Sequence, residues 1–144
     1  MNEIADNLAA VLQRMQSACA RAGRGAETVR LIAVSKTFPP QAIAAAAAAG
    51  HRAFGENYAQ EALGKIAALA EAGLEWHFIG PLQSNKTRDV AAHFAWVHAV
   101  DRLKIAERLA AQRPPQLPPL NVCVQVNVSG EASKSGCAPQ QAAE

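Results

Sequence analysis

The chain has 144 residues, with 14 Lys and Arg against 12 Asp and Glu for a formal charge of +2, so nothing in its bulk charge attracts nucleic acid or an acidic partner. Half of the residues are hydrophobic and 18% are charged, which excludes a disordered chain and suffices for one packed domain over residues 1–144. No apolar run nears the roughly 20 residues of a membrane span, and the start carries Glu3 and Asp6 where a signal peptide needs basic residues.

The elements alternate along the chain. From Asn2 to Ala22, Ile4, Leu8, Val11, Leu12, Met15 and Cys19 recur at helical steps, with Asn2 as cap and Gly23 and Gly25 as the stop. Val29–Ser35 reads as a strand buried on both faces. Pro39 and Pro40 suit the first turn of a second helix, and Gly50 its C-terminal cap. Arg52–Gly55 is a second strand and Asn57–Ala72 a third helix, stopped by Gly73. Trp76–Ile79 is a strand ended by Gly80-Pro81. A helix runs from Ser84, its cap, to Ala92. Ala95–Val100 is a fourth strand, followed by a helix from Asp101, its cap, to Gln112. Arg113–Pro119 is a stiff connector, Leu120–Val128 a fifth strand, and Ala138 starts a further helix.

Strands starting every ~20–25 residues with helices between them are serial βα units. Two α/β architectures use them: an open doubly wound sheet and a parallel (β/α) barrel of the TIM type. A full barrel takes roughly 250 residues, so the second reading makes this chain its first half. An open five-stranded sheet also fits the length.

Ligands of such folds sit at the C-terminal ends of the strands. Here those ends carry Ser35-Lys36-Thr37, Gly55-Glu56-Asn57-Tyr58, Gly80 to Lys86, Asp101-Arg102, and Gln125 to Ser135. Lys36 reads in two ways. It is either a rim lysine partly desolvated by the preceding apolar run, and so a nucleophile for a carbonyl, or a lysine snorkelling to solvent. Asn57, Ser84 and Asn85 read as ligand groups or as ordinary helix caps. Ser133-Lys134-Ser135-Gly136 reads as a flexible turn or an anion nest. His51, His77, His93 and His98 lack metal spacing and read as packed or hydrogen-bonded residues, so no metal is expected. Glu107 and Arg108 read as a solvated helix face. Cys19, Cys123 and Cys137 form no CxxC pair, and their odd number fits a reducing compartment, the cytoplasm.

Taken together, four segments carry a resemblance: Leu31-Ile32-Ala33-Val34-Ser35-Lys36-Thr37, Phe54-Gly55-Glu56-Asn57-Tyr58, Trp76-His77-Phe78-Ile79-Gly80-Pro81-Leu82-Gln83-Ser84-Asn85-Lys86 and Ser133-Lys134-Ser135-Gly136. In that order they resemble the pyridoxal phosphate homeostasis proteins, the YggS/PROSC family. The resemblance implies a barrel like the N-terminal domain of alanine racemase. It implies pyridoxal 5′-phosphate (PLP) bound as a Schiff base on Lys36, with Asn57, Ser84, Asn85 and Asn127 facing the cofactor and Lys134 aiding transfer or secondary binding. It further implies no catalytic residue and a role in buffering PLP. PLP-dependent client enzymes are the implied recipients, and the full-length form is expected to be a monomer without nucleic-acid or membrane partners. Family members continue to a complete barrel whose main phosphate loop lies on later strands. A first half alone is therefore expected to bind PLP weakly and to leave its outer strands open. The alternative is a fold-type III amino-acid racemase. That chemistry needs a second base, commonly a tyrosine, and the sole tyrosine is Tyr58.

Overall fold

The computed structural model describes residues 2–144. Five strands, β1 (Ala33–Val34), β2 (Ala53–Glu56), β3 (Glu75–Phe78), β4 (Trp96–Val100) and β5 (Asn121–Val124), form one sheet in chain order with every neighbouring pair parallel. Among the described residues five α-helices accompany them: α1 (Glu3–Arg21), α2 (Pro40–Ala48), α3 (Ala59–Ala68), α4 (Thr87–His93) and α5 (Leu103–Gln112). This order decides between the two sequence readings. An open doubly wound sheet reverses its strand order at a switch point. Here each strand is added beside the last, which is the progression of a TIM-type barrel, and the chain supplies its first half.

Local signals explain the helix ends. The Asn2 side chain accepts the Ala5 N–H at 3.3 Å, capping α1. Pro40 opens α2, where its missing N–H costs nothing. The chain leaves α2 through Gly50 at φ 100°, a left-handed conformation that L side chains rarely adopt.

Several elements differ from expectation. The first strand is two residues long and Val34 is half exposed. Among the described strands β1 pairs only with β2, so Val29–Ile32 has little ladder to join. The fifth strand stops at Val124: the Gln125 N–H still reaches the Val100 carbonyl at 2.8 Å, but the Gln125 carbonyl and the Asn127 N–H then bond Cys137. Asn57 and Tyr58 precede α3, which ends at Ala68 before a separate 3-10 turn at Ala70–Ala72. Ser84 does not cap a helix; it opens a 3-10 turn, Ser84–Lys86, that leads into α4. Asp101 does not cap α5 either: Arg102 occupies the cap position, and the Asp101 carboxylate lies 3.6 Å from its guanidinium. The expected helix from Ala138 is one 3-10 turn, Pro139–Gln141. Arg108 is not on a solvated face, since its Nε donates to the Ser84 carbonyl at 3.0 Å and the Thr87 hydroxyl at 3.1 Å.

Alternation along the strands sorts side chains into two layers. Phe54, Trp76, Phe78 and Val97 pack with Ile43, Val90, Phe94, Ile105 and Leu109 between sheet and helices. Phe78 meets Phe94 edge-on, with ring centroids 5.3 Å apart. The other layer is polar. His77 Nδ1 lies 2.9 Å from His98 Nε2, His77 Nε2 lies 2.7 Å from Glu75, and Arg30 pairs with Glu75. Trp96 stacks on His77 at 5.8 Å. The two histidines are thus hydrogen-bonded strand residues, as their sequence positions suggested.

Burial pushes His77 and His98 below the ordinary imidazole range, and at His77 the Glu75 carboxylate opposes this without reversing it. The unfolded chain then takes up protons more readily than the folded one. Stability is full above the unfolded imidazole value of about 6.5 and is lost as pH falls below it. A series of urea titrations between about pH 8 and 5 should show this decline, and replacing both histidines by glutamine should flatten it.

Candidate functional site

Parallel strands in chain order end on one edge of the sheet. That edge therefore gathers Lys36 after β1, Asn57 after β2, the 80–86 turn after β3, Asp101 and Arg102 after β4, and Gln125 after β5.

At the first of these ends the chain makes a tight corner. The Ser35 N–H continues the ladder to the Gly55 carbonyl at 2.9 Å, and the Phe38 N–H returns to the Ser35 carbonyl at 3.1 Å. Between them Thr37 has φ 69°, which is unfavourable for a β-branched residue. Ser35 is buried, whereas Lys36 is exposed. Of the two readings of Lys36, its exposure matches a side chain that reaches solvent, because β1 is short and its tip is open.

The buried lysine is Lys65 of α3, only 5% exposed. Its Nζ donates to the Ser35 carbonyl at 2.8 Å, to both Glu56 oxygens at 3.0 Å, and to Glu61 at 2.7 Å. Glu56 is fully buried and also accepts the Ser35 hydroxyl. Glu61 in turn accepts the Thr37 N–H at 2.6 Å. Bonds from Lys65 and from the Thr37 amide hold the Glu61 carboxyl below the usual carboxylate range, so it stays anionic at neutral pH. Sequence reading missed this network. Its one local sign is the Glu61–Lys65 spacing of four residues on a helix.

The remaining candidates divide. Asn57 sits on the tip next to Lys36 and does not cap α3; its Oδ1 is buried with no hydrogen-bond partner. Its position is fixed by Gly80, where an added Cβ would lie 2.9 Å from the Asn57 carbonyl oxygen and 3.0 Å from its Cα. Ser84 is half-buried and Asn85 exposed. Ser84 lines a cleft of about 380 Å³ with Leu82, Asp101, Arg102, Gln125 and Ser135. Asn127 spends its amide on its own loop, donating to the Glu131 carbonyl at 2.8 Å and accepting the Gly130 N–H at 3.1 Å. Lys134 is exposed on that loop.

The sequence profile of the family described as "Alanine racemase, N-terminal domain" matches residues 6–144. The pyridoxal phosphate homeostasis protein of Pseudomonas aeruginosa is 66% identical over 140 residues, covering 97% of this chain and 61% of that protein. The protein of the same name from Escherichia coli K12 is 59% identical over 139 residues, covering 94% of this chain and 59% of its own length. The chain thus spans about 60% of the length of these curated relatives. Among solved structures, PipY of Synechococcus elongatus PCC7942 superposes with a TM-score of 0.80 without PLP and 0.79 with PLP bound, at 40% identity over 96% of this chain and about 60% of PipY.

Proposed function

The chain belongs to the alanine racemase N-terminal domain family, and from that premise we propose that it binds PLP covalently through the Lys36 amine and serves PLP homeostasis without turning over a substrate. The observation that carries this reading is the Lys36 corner: an exposed primary amine on a backbone fixed from below by Glu61 and Lys65, at the ligand-binding edge of the sheet. PLP bound in PipY supports the choice of cofactor, and the names of the Pseudomonas and Escherichia relatives support the role.

The residues present fit such a group. PLP supplies an aldehyde that reacts with a primary amine, and a phosphate that needs hydrogen-bond donors. Lys36 supplies the amine. On the neighbouring tip the Asn57 Oδ1 is unpartnered and offers an acceptor, not a phosphate donor. Ser84 and Asn85 are proposed as further contacts from the same edge. Asn127 shapes the loop that presents Lys134 as a secondary cation. The proposed recipients are PLP-dependent enzymes, the proposed compartment is the cytoplasm, and the proposed state of the full-length protein is a monomer. Tyr58, the sole tyrosine, is 58% exposed at the cap position of α3. That exposure favours the binding role over racemisation, which needs a base poised against substrate.

Incubation with PLP, borohydride reduction and peptide mapping should place the pyridoxyl mass on Lys36, and Lys36→Ala should abolish it. A main label on Lys86 or Lys134 would overturn the assignment. Formation of D-alanine from L-alanine in the same mixture would overturn the non-catalytic role.

A further inference from the structure

We infer that Glu61 is a positioning residue for Lys36, acting through the Thr37 amide. Two peptide units flank the Lys36 Cα. The one before it carries the Ser35 carbonyl, and the one after it carries the Thr37 N–H. The Ser35 carbonyl accepts from Lys65 Nζ at 2.8 Å and from the Phe38 N–H at 3.1 Å. The Thr37 N–H donates to Glu61 at 2.6 Å, and Glu61 is itself bonded to Lys65 Nζ at 2.7 Å. One buried ammonium and one carboxylate therefore anchor both peptide planes. Together those planes set φ and ψ of Lys36, and hence the direction in which its Cβ leaves the backbone.

The need for such an anchor is visible next door. Thr37 has φ 69°, a conformation that a β-branched residue leaves unless its surroundings fix it. Release of the Thr37 N–H would let this peptide rotate toward negative φ and swing the Lys36 side chain with it. Ser35, Glu56 and Lys65 are buried and fix the network from beneath, while Glu61 is partly exposed at the rim. Its removal should loosen the corner without opening the core.

This inference rests on the reading of Lys36 as the reactive amine, and its test separates the two. Glu61→Ala removes the acceptor, Glu61→Gln keeps a carbonyl oxygen at the same reach, and Glu61→Asp keeps the charge but shortens the reach. Amide hydrogen exchange at Thr37 should accelerate about tenfold or more in Glu61→Ala and Glu61→Asp, with protection in β2 and β3 unchanged. That factor follows from the loss of one hydrogen bond to a charged group. Glu61→Gln should restore it. Borohydride trapping of PLP on Lys36 should fall in parallel, by about tenfold, and recover in Glu61→Gln. Unchanged Thr37 exchange in Glu61→Ala and Glu61→Asp would overturn the inference, as would undiminished labelling of Lys36 in both. Absent labelling in the wild-type chain would instead overturn the PLP assignment, leaving hydrogen exchange to judge the anchor.

Discussion

Lys65→Met is expected to destabilise the chain by about 3–5 kcal/mol, the range for removing one partner of a buried ion pair. The cost does not come from lost attraction alone. Glu56 is fully buried, and with Lys65 gone its carboxylate would keep only the Ser35 hydroxyl. The Ser35 carbonyl would lose a donor as well. A buried charge without a counter-charge either pays its desolvation or takes up a proton, and both favour the unfolded chain. Urea unfolding should show a large drop in midpoint with an unchanged slope. The pairing argument makes a sharper demand on the double variant. With Glu56→Leu added, no unpaired charge remains, and much of the lost stability should return. If the double variant is as unstable as Lys65→Met alone, the damage is packing rather than charge.

Phe54→Ala should cost a similar amount, about 3–5 kcal/mol, by a different route. Phe54 is 2% exposed in β2, between β1 and β3. Its ring meets His51 edge-on at 5.3 Å and Trp76 at 6.0 Å. Truncation would leave a void lined by side chains from the sheet and from α2. Parallel strands cannot close over it without breaking their ladders, so the cavity persists and its walls lose their dispersion contacts. The same measurement on Val34→Ala is the control. Val34 is 50% exposed at the tip of β1, and its truncation should cost well under half as much. Equal losses at the two positions would mean that β1 is more deeply packed than its exposure indicates.

What could be read from the sequence divides along physical lines. The βα alternation was legible because each strand is a short apolar run and turn residues separate the elements, as Gly50 does after the second helix and Gly73 after the 3-10 turn that follows the third. The line of polar strand ends followed from that alternation, and Lys36 and Asn57 with it. Burial was less legible. Lys65 sits in Gly64-Lys65-Ile66-Ala67, where a lysine four residues after Glu61 looks like a surface pair. It is buried because Glu56, on another element, waits beneath it, and such pairing is set by tertiary structure. Arg108 was misjudged for the same reason, since its acceptors lie on the turn and helix that follow β3. Asn127 shows a local role that the sequence did not display. The resemblance implies that it faces the cofactor, and in the fold its amide also closes its own loop, donating to the Glu131 carbonyl and accepting the Gly130 N–H.

The layering of the sheet has a consequence for optical spectroscopy. The chain has two tryptophans, and they stand on opposite sides of one wall. Trp76 is packed among the aromatic rings beneath the helices, while Trp96 runs parallel to the His77 imidazole, with centroids 5.8 Å apart, on the other side. A neighbouring imidazolium quenches indole emission, so acidification is expected to dim Trp96 before Trp76 responds. A Trp76→Phe variant then gives an emission signal for the polar layer, and a Trp96→Phe variant one for the core. Intrinsic fluorescence can follow the two sides of this sheet separately, with no added dye.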